Sequence, residues 1–358
     1  MMRAIRVATA VALVTLSGLI ATAGPASAQV RARMPSPAPA APDYAAHFRV
    51  FTSTGAPSSF EALVEAMAAS EAVMVGEIHT DPVGHWVQGE LLRAAIAGSG
   101  SSGRRVALSL EMFERDVQGV VNEYLLDLIT EDQFRSASRP WPHYTADYRP
   151  LVETAKEAEI PVIAANAPRR YVNRVSRLGP DALGDLPLEA LRSLPPLPFP
   201  GPTDAYRAEW NALMSNMTMA DQCPSPEAET ATAAPVHTPP PPAAHTAPAA
   251  PSHGGSLMEN GLQAQTLWDA AMAHSITGFL DANPDALVLH MVGGFHVMNS
   301  TGTPEKVQFY RPGTRSLVVH MDTADDIEAF DPAEHGGRGD FVVLTDAALD
   351  LNWERNCS

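Results

Sequence analysis

Apolar residues along the chain recur at two spacings. Phe60, Leu63, Val64 and Met67 stand at helical intervals, and residues 72–75 then form a continuous apolar run of the kind a strand buried on both faces shows. That run stops at Gly76-Glu77-Ile78-His79. Asp81-Pro82 follows as a helix start, with aspartate as N-cap and proline in the first turn, and Val83, Val87, Leu91 and Ala95 form the apolar face. The plan repeats. Residues 105–112 read as a strand closing on Glu111, followed by helical spacing through Val117, Val120, Val121, Tyr124 and Leu128. Residues 160–165 read as a strand closing on Asn166, after which Pro168 opens a helix through Val172 and Val175. Leu262, Leu267, Ala271 and Ile276 predict a further helix, and residues 286–292 a strand that ends on Gly293, with His296 three positions on. Runs at 316–321 and 341–345 read as late or edge strands. Strand then helix, several times over, predicts an α/β fold with a largely parallel sheet flanked by helices, one domain built from residues 44–222 and 257–346.

The segments outside this pattern have other characters. Residues 1–28 place Arg3 and Arg6 before an apolar run and end on Ala-Ser-Ala, which reads as a secretory signal peptide. Residues 29–43 are a Pro/Ala linker, and residues 347–358 a C-terminal tail. Residues 223–256, rich in Pro, Ala and His without apolar periodicity, read as a disordered insertion. No cysteine follows the leader and no later run approaches the roughly 20 apolar residues of a membrane span, so the expectation is an exported chain, periplasmic or secreted, that is neither a lipoprotein nor anchored by a transmembrane segment. In an oxidising compartment Cys223 and Cys357 are compatible with one disulfide or with two free thiols.

A net charge of −17 without a dense basic face excludes a nucleic-acid partner. The candidate chemistry lies at the strand ends, because ligands of open α/β sheets bind beyond the carboxyl ends of the strands. Four strands end on polar residues: Glu77 with His79, Glu111, Asn166 with Arg169 and Arg170 after it, and Gly293 with His296. Gly-x-x-His occurs there twice. His79, Glu111 and His296 make a donor set suited to a divalent transition metal, and the same groups without metal make a general acid/base site with Glu77 or Glu111 orienting an imidazole. The residues leave both open. Met214, Met217 and Met219, with His237, His245 and His253 in the insertion, are ligand types for copper, or else packing methionines and histidines without fixed geometry.

Five segments in order carry a resemblance: GEIHTDPVGHWVQGELL, SLEMFERDVQGVVNEYL, WPHYTADYRPLVETAKEAEIPVIAANAPRRYVNRVSRLG, QAQTLWDAAMAHSI and VLHMVGGFH. Together they resemble the ChaN-like haem-binding uptake family, similar in turn to the Tiki/TraB metalloprotease and erythromycin-esterase group, over residues 50–318 apart from the insertion. The resemblance implies an exported bacterial protein of haem or iron uptake that binds haem, in the best-known case as a homodimer with cofacial haems and tyrosine ligation. On this chain it points to Tyr144 or Tyr148 as phenolate ligand, with His143 nearby, and to Arg169 and Arg170 for the propionates; the alternatives are aromatics that pack the loop before the helix at 151–158 and arginines in surface salt bridges, and His85, one turn into the helix begun at Asp81, faces the same cleft or the solvated side. The alternative it carries is a metal-dependent hydrolase, protease-like or esterase-like, working from Glu77, His79, Glu111 and His296. The chain departs from the pattern in lacking a lipid-acceptor cysteine and in carrying the long insertion.

Overall fold

The computed structural model describes residues 43–216 and 257–349. The expected leader, the linker up to residue 42, the insertion, both cysteines, Met217, Met219 and the tail from residue 350 lie outside the described residues.

The chain enters through β1 (Phe48–Thr52) and the short β2 (Pro57–Ser58), then α1 (Phe60–Ala69), whose N-cap Ser59 accepts from Ala62 N at 3.1 Å. Strand β3 (Ala72–Glu77) follows, buried at every position as its apolar run predicts. Asp81 caps α2 (Pro82–Ser102) by accepting from Val83 N at 2.9 Å, and Gly103 ends that helix in the left-handed region at φ 71°. Then come β4 (Val106–Glu114), α3 (Gln118–Leu125), α4 (Glu131–Ser138), α5 (Tyr144–Asp147), α6 (Arg149–Glu157), β5 (Val162–Asn166), α7 (Arg169–Leu178), α8 (Leu188–Leu191) and α9 (Asp204–Asn216). The rest is α10 (Leu257–Ala282), β6 (Leu287–Gly293), α11 (Thr303–Tyr310), β7 (Ser316–Ala324) and β8 (Phe341–Asp346). Among the described residues no helix is long and apolar enough to cross a membrane.

The eight strands form one sheet in the order β2-β1-β8-β7-β3-β6-β4-β5. All pairs from β8 to β5 are parallel, and β1 joins β8 antiparallel. The fold is therefore α/β with a largely parallel sheet. Strand periodicity divides the core. Val73 and Val75 of β3 face α1, α2 and α6 with Leu63, Leu91 and Leu151, while Ala72 and Met74 face Met272, Ala273 and Ile276 of α10.

Three expectations are corrected. Of late or edge strands at 316–321 and 341–345, the late reading holds and the edge one does not: β7 and β8 come last in the chain but are interior to the sheet, because β1 returns to cover β8. The helix after Glu111 stops at Leu125, Asp127 turns at φ 56°, and Leu128 is 68% exposed rather than on the apolar face. Strand β4 continues past Glu111 to Glu114, although its pairing with β6 ends at Leu110 opposite Met291. The free edge of β5 is capped by a side chain: Gln118 Nε2 donates to Val162 O and its Oε1 accepts from Ala164 N, both at 2.8 Å.

Candidate functional site

Because β3, β4, β6 and β7 run parallel, their carboxyl ends open at one end of the sheet. There a cleft of about 430 Å³ is lined by Glu77, His79, Glu111, Arg169 and His296, with Trp141, Trp268 and Phe295 as apolar walls.

Strand β3 delivers Glu77 with its carboxylate fully buried. A buried charge persists only when paired and hydrogen-bonded, and four groups converge on this one. His79 Nδ1 lies 2.8 Å and the Tyr148 hydroxyl 2.6 Å from Oε1; Gln88 Nε2 donates to Oε2, and His85 Nδ1 stands 3.6 Å away. Burial alone pushes Glu77 upward, but the charge of His85 and the bonds from His79 and Tyr148 outweigh it and hold the carboxyl below its usual range. The ionised acceptor places the proton of His79 on Nδ1 and leaves Nε2 facing the cleft. The His79 side chain is 44% exposed, and Trp141 stands edge-on to its ring at 4.9 Å. Burial pulls this imidazole down, Glu77 and Glu111 raise it, and the net direction is up.

Strand β6 ends at Gly293, whose N–H donates to Glu111 Oε2 at 2.7 Å. A Cβ at Gly293 would stand 2.9 Å from His79 Nε2 and 3.5 Å from Glu111 Oε2, so glycine is required for these two side chains to approach the strand end. The next turn presents His296, 7% exposed: Nε2 lies 3.7 Å from Glu111 Oε1, and Nδ1 lies 2.8 Å from Oδ1 of Asp269 on α10. Thr303 donates to the same Asp269 oxygen at 2.9 Å. Burial opposes protonation of His296, yet Asp269 and then Glu111 raise it to about 9. One turn of strand below, His290 is buried against Ser109 Oγ at 2.9 Å, and burial followed by the charge of His296 pushes it down to about 3.

The structure thus brings Glu77, His79, Glu111, His296 and Arg169 to one cleft. Arg169 sits with its guanidinium 5.8 Å above the Trp268 ring and without a carboxylate beside that group among the described residues, while its backbone N–H donates to Glu114 Oε1 at 3.0 Å. His85 is buried behind the cleft, with Nε2 3.1 Å from the His79 carbonyl. Tyr148, 2% exposed, also lies behind it, and burial with the Glu77 charge raises its phenol. Tyr144, 2% exposed, packs in the core against Phe113 and Phe134, and His143 precedes α5. Neither tyrosine is among the residues lining the cleft. Arg170 turns away to Asp116 at 2.7 Å. Gln88 and Asp269, which hold the two imidazole networks, escaped the sequence reading because each looks like an ordinary polar residue of a helix. Among the described residues no three His, Cys, Asp or Glu stand in an arrangement that would hold a metal ion.

This α/β domain with paired carboxylates and imidazoles at its strand ends matches, over residues 63–307, the family described as haem-binding uptake, Tiki superfamily, ChaN. The chain belongs to that family. The solved structure of cofacial heme binding to ChaN of Campylobacter jejuni is 14% identical, with a TM-score of 0.58, and the match covers 84% of this chain and 98% of that one. An erythromycin esterase in its open conformation is a weaker likeness, 11% identical with a TM-score of 0.40, over 84% of this chain and 83% of that one. At 14% identity the likeness to the ChaN structure is one of fold. No curated protein matches the chain significantly.

Proposed function

We propose that this chain is an exported haem-binding protein of haem or iron uptake, and that its cleft holds haem with His79 Nε2 as the iron ligand. The observation that carries the reading is the set of groups around His79. Its Nδ1 is tied to an ionised, buried Glu77, which fixes the tautomer and strengthens Nε2 as a donor. The side chain is exposed to a cleft with aromatic walls, and the Arg169 guanidinium that lines it, without a carboxylate beside it among the described residues, suits a propionate. Family membership supports the same cargo. Histidine is preferred here to the tyrosine ligation that the resemblance implies, since the Tyr148 hydroxyl is committed to Glu77 and Tyr144 is packed in the core. The leader-like N-terminus supports export, and a homodimer belongs to the same proposal.

Titration of the purified chain with haemin tests this. A saturable Soret shift is expected, lost in His79→Ala and weakened several-fold in Arg169→Gln. No saturable shift would remove the haem reading, and an unchanged spectrum in His79→Ala beside an altered one in Tyr148→Phe would replace histidine by tyrosine ligation.

A second reading, hydrolysis of an ester or peptide, is favoured by the two carboxylate–imidazole pairs that face one cleft, Glu77 with His79 and Asp269 with His296. In that reading His79 Nε2 takes a proton from water, protonated His296 polarises the carbonyl, and Glu111 holds the two sides together. Ester turnover by metal-loaded and metal-depleted protein, abolished in His79→Ala and indifferent to haemin, would support it.

A further inference from the structure

Beyond Ile78 and Phe295 lies a second cavity of about 480 Å³, which shares Glu77, Ile78, Gly294 and Phe295 with the first and is otherwise walled by α9, β7, the turn at 298–300 and the loop before β8. Its polar groups are unbalanced. Glu209, Asp322 and Glu334 line it with one cation, Arg338, which is already 3.5 Å from Asp322 and 3.4 Å from the Met298 sulfur. His335 lies 3.6 Å from Asp322 and 3.9 Å from Glu334, whereas Glu209 accepts from the neutral Asn299 Nδ2 at 2.6 Å and has no cation beside it among the described residues.

One further observation marks this cavity as more than a surface dip. His320, where the pairing of β7 with β3 ends opposite Gly76, lines it, is 4% exposed, and its Nδ1 is buried with no hydrogen-bond partner among the described residues. Burial, then the charges of Arg338 and His335, keep its imidazole neutral, at about 3. Its ring packs against Gly294, where a Cβ would stand 3.0 Å from Cε1. An unpartnered polar ring at such a position is expected to have a partner in the working molecule.

We propose that this cavity is a subsite for an organic cation, a primary amine or guanidinium on an apolar stem. Glu209, Asp322 and Glu334 surround the charge, the neutral His320 accepts one of its N–H groups, and Ile78 and Phe295 pack the stem. Glu209 has one neutral donor and no cation beside it, and His320 Nδ1 has no partner among the described residues, so a donor-rich cation would supply what these groups lack. The cavity is also far larger than a bare ion needs. The assignment does not depend on what occupies the first cleft.

The test uses the full chain with agmatine, butylamine and the uncharged 1-butanol as probes, followed by calorimetry and by histidine side-chain NMR, with the His320 signals identified by their loss in His320→Gln. Agmatine or butylamine should bind saturably and move the His320 signals, while 1-butanol should do neither. The double variant Glu209→Gln, Glu334→Gln should weaken amine binding by about tenfold without changing the melting temperature. Absence of saturable binding by both amines, equal binding of 1-butanol, undiminished affinity in the double variant, or shifts confined to His79 would each overturn the assignment.

Discussion

The two sides of the cleft use the same pair of side-chain types to opposite ends. On the β3 side the carboxylate is buried and the imidazole is offered outward: Glu77 is closed in by Tyr148, Gln88 and His85, and His79 is 44% exposed. On the β6 side the imidazole itself is buried, 7% exposed, between Asp269 and Glu111. One histidine is thereby left with a donor atom free for a ligand. The other is a buried cation that ties α10 to the strand ends. The difference comes from what lies behind each ring, and it can be broken one side at a time.

The largest effect is expected from Asp269→Ala. It leaves the His296 cation without its main partner, and removing one member of a buried pair costs about 3–5 kcal/mol. Urea denaturation should show this loss, and a loss below about 1 kcal/mol would mean that His296 is not a buried cation.

The same pair should be visible in the pH dependence of stability. Since the folded value of His296, about 9, lies above its ordinary 6.5, its contribution is complete below pH 6.5 and is lost as pH rises through about 9. The span corresponds to about 3 kcal/mol. Denaturation midpoints measured between these pH values should fall for the wild type and stay nearly level for Asp269→Asn. A level wild-type profile would contradict the raised value.

On the other side, Tyr148→Phe removes one of the donors to Glu77 and should cost about 1.5–3 kcal/mol, the range for a hydrogen bond to a charged group. The smallest effect is expected from Tyr144→Phe. The Tyr144 hydroxyl is buried without a hydrogen-bond partner among the described residues, so its removal should be neutral or slightly stabilising, within about 0.5 kcal/mol. Thermal melts of the two variants side by side check both, and equal losses would show that the two phenols are not in different surroundings.

That pair of tyrosines also shows where reading the sequence stops. The apolar runs located β3, β4, β5 and β6, and their polar endings located Glu77, His79, Glu111 and His296, because strand position and side-chain type are both written locally. Tyr144 and Tyr148, four residues apart, look equivalent in a string of letters. Only the short helix α5 and the packing of Phe113 and Phe134 separate a core ring from one whose hydroxyl reaches Glu77. Asp269 was invisible for a related reason: its partner His296 is distant in sequence and meets it only when α10 lies on the sheet. His320 lies inside β7 and lacks the Gly-x-x-His spacing that marks the other two histidines.

The side chain of Gln118 at the β5 edge has a consequence for self-association. Its amide takes the place of a neighbouring backbone, meeting both the carbonyl of Val162 and the N–H of Ala164, so a second chain that tried to extend the sheet there would find those bonds already made. The opposite edge is the two-residue β2, which begins with Pro57 and offers almost nothing to continue. Growth by strand addition, the route by which exposed edges seed fibrils, is thus discouraged at both ends of the sheet. Replacing Gln118 by alanine should therefore raise the rate of thioflavin-positive aggregation before it changes anything at the cleft.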